Sequence, residues 1–324
     1  MSVRIGLMGV AHLHAASYAS SVTRHPGAEL VGVSDHDPDL AAETAARFRT
    51  QALSHENLLT DADAVIIASE NIRHRELALM AASAGKHVLC EKPLATTIED
   101  GQAMINACEE AGVRLFTAFP CRFSPVMQKM RASTGKLGKL FAMMGTNRGI
   151  NPLGWFVDKS LSGGGAMMDH TVHVADLIRW TLGAEAVEVY AETNNNMRNG
   201  ITDDCAMLSI KFSNGAFATI DASWSRPQTF TTWGDVTLKA IGDQGVSSMD
   251  MFAQRILYFD DGTGRVRERF WGDDVDYAMI HEFVGAIQGN PAPTLATGKD
   301  GLKAAEMAIT GYRSAEIGQP VRID

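Results

Sequence analysis

Two short segments of this 324-residue chain carry side chains equipped for acid–base chemistry. The first is Gly163-Gly164-Gly165-Ala166-Met167-Met168-Asp169-His170-Thr171-Val172-His173-Val174-Ala175-Asp176. Read as a helix, it places Asp169, His173 and Asp176 at i, i+4 and i+7 on one face, about 6 Å apart per four-residue step. Met167, Val174, Ile178 and Leu182 give the rest of the helix an apolar surface, so a polar stripe there needs a reason. A histidine ionises near neutrality and can take a hydroxyl proton while hydride leaves the same carbon. A carboxylate one turn away can orient the imidazole or bind a neighbouring hydroxyl. Spacing alone leaves two other readings open: His173 and Asp176 as a satisfied buried pair, or Asp169, His170, His173 and Asp176 as metal ligands. Metal-like spacings are common by chance, and no metal is expected.

The second segment is Gly85-Lys86-His87-Val88-Leu89-Cys90-Glu91-Lys92-Pro93-Leu94-Ala95. An apolar strand here ends in Glu91-Lys92-Pro93, at the carboxyl edge of a parallel sheet where ligands bind. The Lys92 ammonium can hydrogen-bond a hydroxyl and stabilise a developing alkoxide.

The first strand runs into Gly9-Val10-Ala11-His12-Leu13-His14 and then a helix. Such a turn aims backbone N–H groups and the positive helix end at a pyrophosphate. The usual GxGxxG pattern is degraded, with Ala11 and His14 in place of its second and third glycines. Asp35 follows at the end of the second strand, where a carboxylate accepts both ribose hydroxyls and repels a 2′-phosphate, favouring NAD over NADP. Its bland reading is a helix cap, since Asp37 and Pro38 come next. Among other polar candidates, Asn151 could bond a polyol, and Trp155 could cover a cofactor, stack on a sugar or join the core. Arg122 could close a cleft or pair with an acid.

These residues need elements to hold them. Apolar runs at Val3–Met8, Glu29–Ser34, Ala64–Ala68, His87–Cys90 and Arg114–Ala118 alternate with helical patterns at His12–Arg24, Pro38–Phe48, Arg73–Ala84 and Ile98–Ala111. That alternation predicts an α/β, doubly wound parallel sheet over residues 1–120. Residues 121–324 read as an α+β domain. It holds helices at Pro125–Arg131, Ala166–Leu182, Tyr277–Gln288 and Gly301–Ile317, and a mostly antiparallel open sheet. Its strands fall near Lys139–Thr146, Val187–Thr193, Asp204–Phe212, Ala216–Trp224, Val236–Ile241, Gly245–Asp250 and Gln254–Phe259.

The formal charge is −9, with no long basic run, which argues against nucleic acid and anionic membranes as partners. No stretch approaches the ~20 apolar residues of a membrane span, and the first ten residues read as a strand, not a signal peptide. Cys90, Cys108, Cys121 and Cys205 show no CxxC spacing and suit free thiols in a reducing cytoplasm.

Taken together and in order, the Gly9 turn, Asp35, Asn71 with His74, Glu91-Lys92-Pro93, Arg122-Phe123, the Gly163–Asp176 helix and the Gly301…Gly318 ending closely resemble the Gfo/Idh/MocA family, the glucose–fructose oxidoreductase and inositol dehydrogenase group. The sequence departs from that family at Ala11 and at Glu70, which precedes Asn71 where the family often has proline. The resemblance implies an NAD-dependent oxidoreductase with Lys92, Asp169 and His173 catalytic, and a homodimer or homotetramer. It implies cofactor contacts from Gly9, Val10, Ala11, His12, Leu13, Asp35, Ser69, Asn71, His74, Glu91, Lys92 and Arg122. The substrate expected is a sugar, polyol or sugar derivative held by Lys92, Asn151, Trp155, Asp169 and His173. Two alternatives within the resemblance are an NAD-recycling glycosidase and a nucleotide-sensing regulatory protein.

Overall fold

The structure is a computed structural model that describes residues 2–323. Short, mostly apolar strands stack first: β1 (Val3–Met8), β2 (Ala28–Ser34), β3 (Ala64–Ile67), β4 (His87–Cys90) and β5 (Leu115–Thr117). All four residues of β3 are buried, as a strand covered on both faces requires. Between them run α1 (Ala15–Arg24), α2 (Pro38–Phe48), α3 (His55–Asp61), α4 (His74–Ser83) and α5 (Ile98–Glu110). Three of these helices are started by side chains: Asp37 accepts the Asp39 and Leu40 N–H groups of α2, Ser54 accepts that of Asn57 in α3, and Thr97 accepts that of Asp100 in α5. Strands β1 to β5 pair in parallel in the order β5-β4-β3-β1-β2, so their carboxyl ends share one edge. Each fully buried aliphatic side chain such as Ile5, Leu7 or Ile66 contributes roughly 1.5–3 kcal/mol.

After α6 (Pro125–Ser133), strand β6 (Leu140–Gly149) begins the second sheet, and a loop with the short α7 (Lys159–Ser162) leads into α8 (Ala166–Leu182). Then follow β7 (Ala186–Asn194), β8 (Cys205–Phe212), β9 (Phe217–Asp221), β10 (Gly234–Gly242) and β11 (Gly245–Asp250). A ribbon of β12 (Arg255–Asp260) and β13 (Arg265–Phe270) precedes α9 (Val275–Ile287), β14 (Ala296–Thr297), α10 (Gly298–Ile317) and β15 (Val321–Arg322). The sheet order is β11-β10-β6-β9-β8-β7-β15, antiparallel except for β6 with β9. Residues of β8 alternate strictly between core and outside. The inner face packs on α8 and α10 through Val174, Ile178, Leu208, Ile210, Ile220, Met307 and Ala308. The outer face shows Phe141, Met144, Met207 and Phe217 to the surface.

Several elements differ from the sequence expectation. Helix α1 starts at Ala15, because His12 N–H bonds the Ala68 carbonyl and so holds the turn outside the helix. Helix α3 was not expected; seven residues with only Leu58 and Leu59 buried give too short a period to read. Strand β13 completes a hairpin with β12, but its alternation is of charges (Arg265, Arg267, Glu268, Arg269), which reads as a solvated loop. Strand β14 returns antiparallel to β5 at the edge of the first sheet, and Met279, Ile280, Phe283 and Val284 of α9 sit in the first core.

Candidate active site

The β1–α1 turn is shaped by close contact. Gly9 has φ +77°, and a Cβ there would lie 2.5 Å from the Ser69 Cβ, so only glycine fits. Gly9 and His12 donate their N–H groups to Ser34 and Ala68 carbonyls, and Val10 donates to Asp35 Oδ2 at 2.7 Å. Among the described residues the Ala11 and Leu13 N–H groups have no hydrogen-bond partner, and Leu13 is 66% exposed. Asp35 is therefore not the cap of α2, a role taken by Asp37. Its carboxylate ties the second strand to the turn and accepts the Asp37 N–H as well. A cavity of about 290 Å3 opens beside it, lined by Gly9, Asp35, Ser69 and Arg73. The glycine that no Cβ could replace, the free turn N–H groups and the cavity at Asp35 together fit an adenine dinucleotide.

His12 is 4% exposed, and burial pulls its pKa down to about 3, so the ring is neutral. Its Nδ1 accepts the His14 N–H at 3.2 Å, which leaves the proton on Nε2, a buried atom with no partner. His14 bonds Glu91 Oε1 at 2.9 Å. Burial opposes charge on His14, but the Glu91 carboxylate prevails and raises its pKa. Tyr18 donates to the same carboxylate oxygen. These engaged atoms account for His12, His14 and Glu91, the single cluster of ligand-like side chains among the described residues.

At the end of β4, Lys92 Nζ reaches across to α8 and meets Asp169 Oδ1 at 2.5 Å. The Lys92–Pro93 peptide bond is cis. Asp169 Oδ2 also accepts from Trp224 Nε1 at 3.1 Å and lies 3.2 Å from His170 Nε2. Burial works against its charge, yet Lys92 and then His170 hold the carboxyl well below its usual range. His173, 4% exposed, is pushed well below the usual imidazole value by burial and then by Lys92, so it stays a neutral base. Its Nδ1 lies 3.8 Å from Cys121 Sγ, a thiol that burial raises to about 12 and so keeps protonated. Asp169 thus does not orient His173 directly, although both stand on one face of α8.

Asp176 is not paired with His173 either. Arg122, expected beside the cofactor, sends Nε and Nη2 to the two Asp176 oxygens at 2.7 and 2.6 Å, and both side chains are buried. With Asp176 on Arg122 and Asp169 on Lys92, the four-residue metal set does not converge. His74 is fully buried, its Nδ1 against the Pro93 carbonyl, and the Asn71 amide donates to the Ser162 carbonyl. Both brace loops around Lys92, and each keeps one unpartnered polar atom.

Lys92, Asp169, His170 and His173 open together into a cavity of about 440 Å3 whose walls include His12, Leu13, Asn151, Phe156 and Trp233. Asn151 accepts the Leu153 N–H. Trp155 stacks on Phe156 and donates to the Ala11 carbonyl at 3.0 Å, linking the second half of the chain to the dinucleotide turn. Trp224, Cys121, Tyr18 and Trp233 were missed by sequence reasoning. Each sits far along the chain from its partner, and no spacing rule connects them.

A dinucleotide turn, a lysine–aspartate pair and a neutral buried histidine on one cavity define a hydride-transferring oxidoreductase. Comparison with known proteins agrees. Residues 3–119 match the oxidoreductase family NAD-binding Rossmann fold, and residues 127–248 match the GFO/IDH/MocA C-terminal domain. The chain belongs to the GFO/IDH/MocA oxidoreductase family, and it is an NAD-dependent enzyme. It is 29% identical to 1,5-anhydro-D-fructose reductase of Ensifer adhaerens, over 99% of this chain and 98% of that protein. It is 26% identical to myo-inositol 2-dehydrogenase of Thermotoga maritima, over 99% of each. Its fold superposes on GenD2 from gentamicin A biosynthesis, solved in complex with NAD, with a TM-score of 0.90, 24% identity, and coverage of 100% and 97%.

Proposed function

We propose that this enzyme interconverts a secondary hydroxyl and a ketone on a sugar, a polyol or a sugar derivative. The observation that carries the reading is the convergence of Lys92, Asp169 and His173 on a cavity continuous with the Leu13 end of the dinucleotide turn. NAD, when bound, supplies the hydride acceptor. Lys92 hydrogen-bonds the reacting oxygen and stabilises its developing negative charge. His173, neutral because it is buried, accepts the hydroxyl proton. Asp169 sets the position of the Lys92 ammonium and offers an acceptor to an adjacent hydroxyl. Asn151 lines the substrate side, and Trp155 acts from behind the lining Phe156 on which it stacks. Reductases and dehydrogenases of anhydrosugars and inositols among its relatives support that substrate class.

The cofactor would rest on Gly9, Val10, Ala11, His12 and Leu13, with Asp35 on the ribose and Ser69, Asn71 and Glu91 along its path. His74 and Arg122 would act by bracing the loops instead of touching the dinucleotide. A homodimer or homotetramer in the cytoplasm would cover the exposed Phe141, Met144, Met207 and Phe217 on the outer face of the sheet. No helix among the described residues is long and apolar enough to cross a membrane.

Titrating the protein with NADH and with NADPH, followed by nicotinamide fluorescence, tests the cofactor. Initial rates with NAD and a panel of sugars and inositols test the reaction. NADH preference with turnover of a sugar or polyol is the expected result. Tight NADH binding without turnover of any secondary alcohol would overturn the assignment.

A further inference from the structure

A second cavity, about 200 Å3, adjoins the Lys92 cavity, and the two share His14, His173 and Trp233 as walls. None of residues 9–13 lines the second cavity, and neither does Lys92. The nicotinamide end of the dinucleotide and the reacting carbon, which the proposed function ties to those residues, therefore belong in the larger space.

The smaller cavity has a distinct chemistry. Trp233 and Phe252 meet edge to face, with centroids 5.8 Å apart at 85°, and Phe270 stands at the same cavity. Gln254 donates its amide to Asp273 Oδ2 at 2.6 Å, which leaves Gln254 Oε1 buried and without a partner. Aromatic rings present negative faces to polarised C–H groups, while the amide and carboxylate oxygens are acceptors for hydroxyl groups. A pyranose ring offers both, a C–H face and a rim of hydroxyl donors. A purely apolar group would leave Gln254 Oε1 unsatisfied, at a cost of about 1–3 kcal/mol.

We propose that this cavity is a second sugar subsite, so that the preferred substrate is a disaccharide-like glycoside. The ring that is oxidised sits at Lys92, and the ring glycosidically joined to it passes His173 and lies against Phe252 with its hydroxyls toward Gln254 and Asp273. This rests on the reading of the Lys92 cavity as a sugar site.

The test compares glucose and galactose with maltose, cellobiose, lactose and trehalose, and with phenyl glucoside, in the intact enzyme and in Phe252→Ala and Gln254→Ala. The expected result is a kcat/KM at least ten times higher for one disaccharide than for its monosaccharide. That advantage should vanish in both variants, with monosaccharide turnover and the NADH dissociation constant unchanged. Equal kcat/KM for monosaccharides and disaccharides overturns the subsite and leaves the oxidoreductase reading standing. So does a preference for phenyl glucoside alone, and so does weakened NADH binding in Phe252→Ala, which would put the nicotinamide there. If no sugar is turned over, the oxidoreductase reading fails on its own. Calorimetric titration of the NADH complex with the same sugars then decides the subsite, with tenfold tighter disaccharide binding expected and equal binding overturning it.

Discussion

Lys92 and Asp169 meet across the cleft at 2.5 Å, one from the end of a parallel strand and the other from the first turn of α8. The pair joins the two sheets at the cavity, so each partner has a chemical and a mechanical consequence. Removing Lys92 leaves a buried carboxylate with only Trp224 and His170 as donors. Lys92→Ala is expected to lower kcat/KM by about 10²–10⁴ and stability by roughly 3–5 kcal/mol, read from steady-state kinetics and urea unfolding. The carboxyl pKa lies below its unfolded value of 3.8, so the stability it contributes is present above that pH and disappears as pH falls through the lower folded value. Melting temperatures of wild type and Asp169→Asn should differ at pH 6 and draw together below about pH 4.

His173 is expected to set the acid limb of the rate profile. Its pKa is depressed by burial and by Lys92, against the opposing pull of Asp169, with His170 and His14 adding to the depression. The free enzyme should therefore keep its base unprotonated well under the ordinary imidazole value, and log kcat/KM should stay flat through pH 6.5 before it falls. His173→Ala should abolish most turnover and leave NADH affinity intact. Cys121→Ala removes the thiol at Nδ1 and should lower kcat more than it changes KM, with Cys121→Ser restoring part of the loss. A profile already falling at pH 7 would remove His173 from the role of base.

Arg122 and Asp176 illustrate what one sequence can and cannot disclose. Asp176 was legible as a polar position on an apolar helix and Arg122 as a residue that could close a cleft or pair with an acid, but which acid was not. The pairing joins the turn after β5 to a helix more than fifty positions later. The parallel strands were plain because a buried strand is apolar throughout, and α8 was plain because seventeen residues keep a helical period between Gly165 and Gly183. Asp169 and His173 stood out as candidates by their spacing on one helix, and Lys92 by its place at a strand end, while their grouping as a set came from the family resemblance; the structure brings all three to one cavity. Trp224 on Asp169 and Cys121 on His173 depend on tertiary packing alone. The charged β13 escaped because its partner strand, not its own composition, makes it a strand.

That ion pair gives its own test. Both partners are buried and make two parallel bonds, so Arg122→Ala strands a carboxylate and should cost roughly 3–5 kcal/mol. Arg122→Met with Asp176→Leu, which removes both charges, should recover much of that loss. Denaturant midpoints measure the stability. NADH titration of the folded Arg122→Met, Asp176→Leu protein checks that Arg122 acts on α8: affinity should stay near wild type, and a tenfold loss would restore Arg122 to the cofactor.

Asp35 has two jobs that substitution can separate. Its buried carboxylate accepts the Val10 N–H through Oδ2 at 2.7 Å and so fixes the turn, while the residue stands in the wall of the cavity beside Gly9. Asp35→Asn keeps an acceptor for Val10 but removes the negative charge that repels a 2′-phosphate. Its expected signature is a modest loss of NADH affinity together with a gain for NADPH, narrowing the ratio between them by about tenfold, or ~1.4 kcal/mol. Asp35→Ala loses the turn's anchor as well and should weaken both cofactors. If Asp35→Asn left the NADH to NADPH ratio unchanged, the charge would have no part in selection. The carboxylate would then be a structural tie between β2 and the turn, and preference would have to come from elsewhere in the cavity, with His36 and Arg73 the next side chains to change.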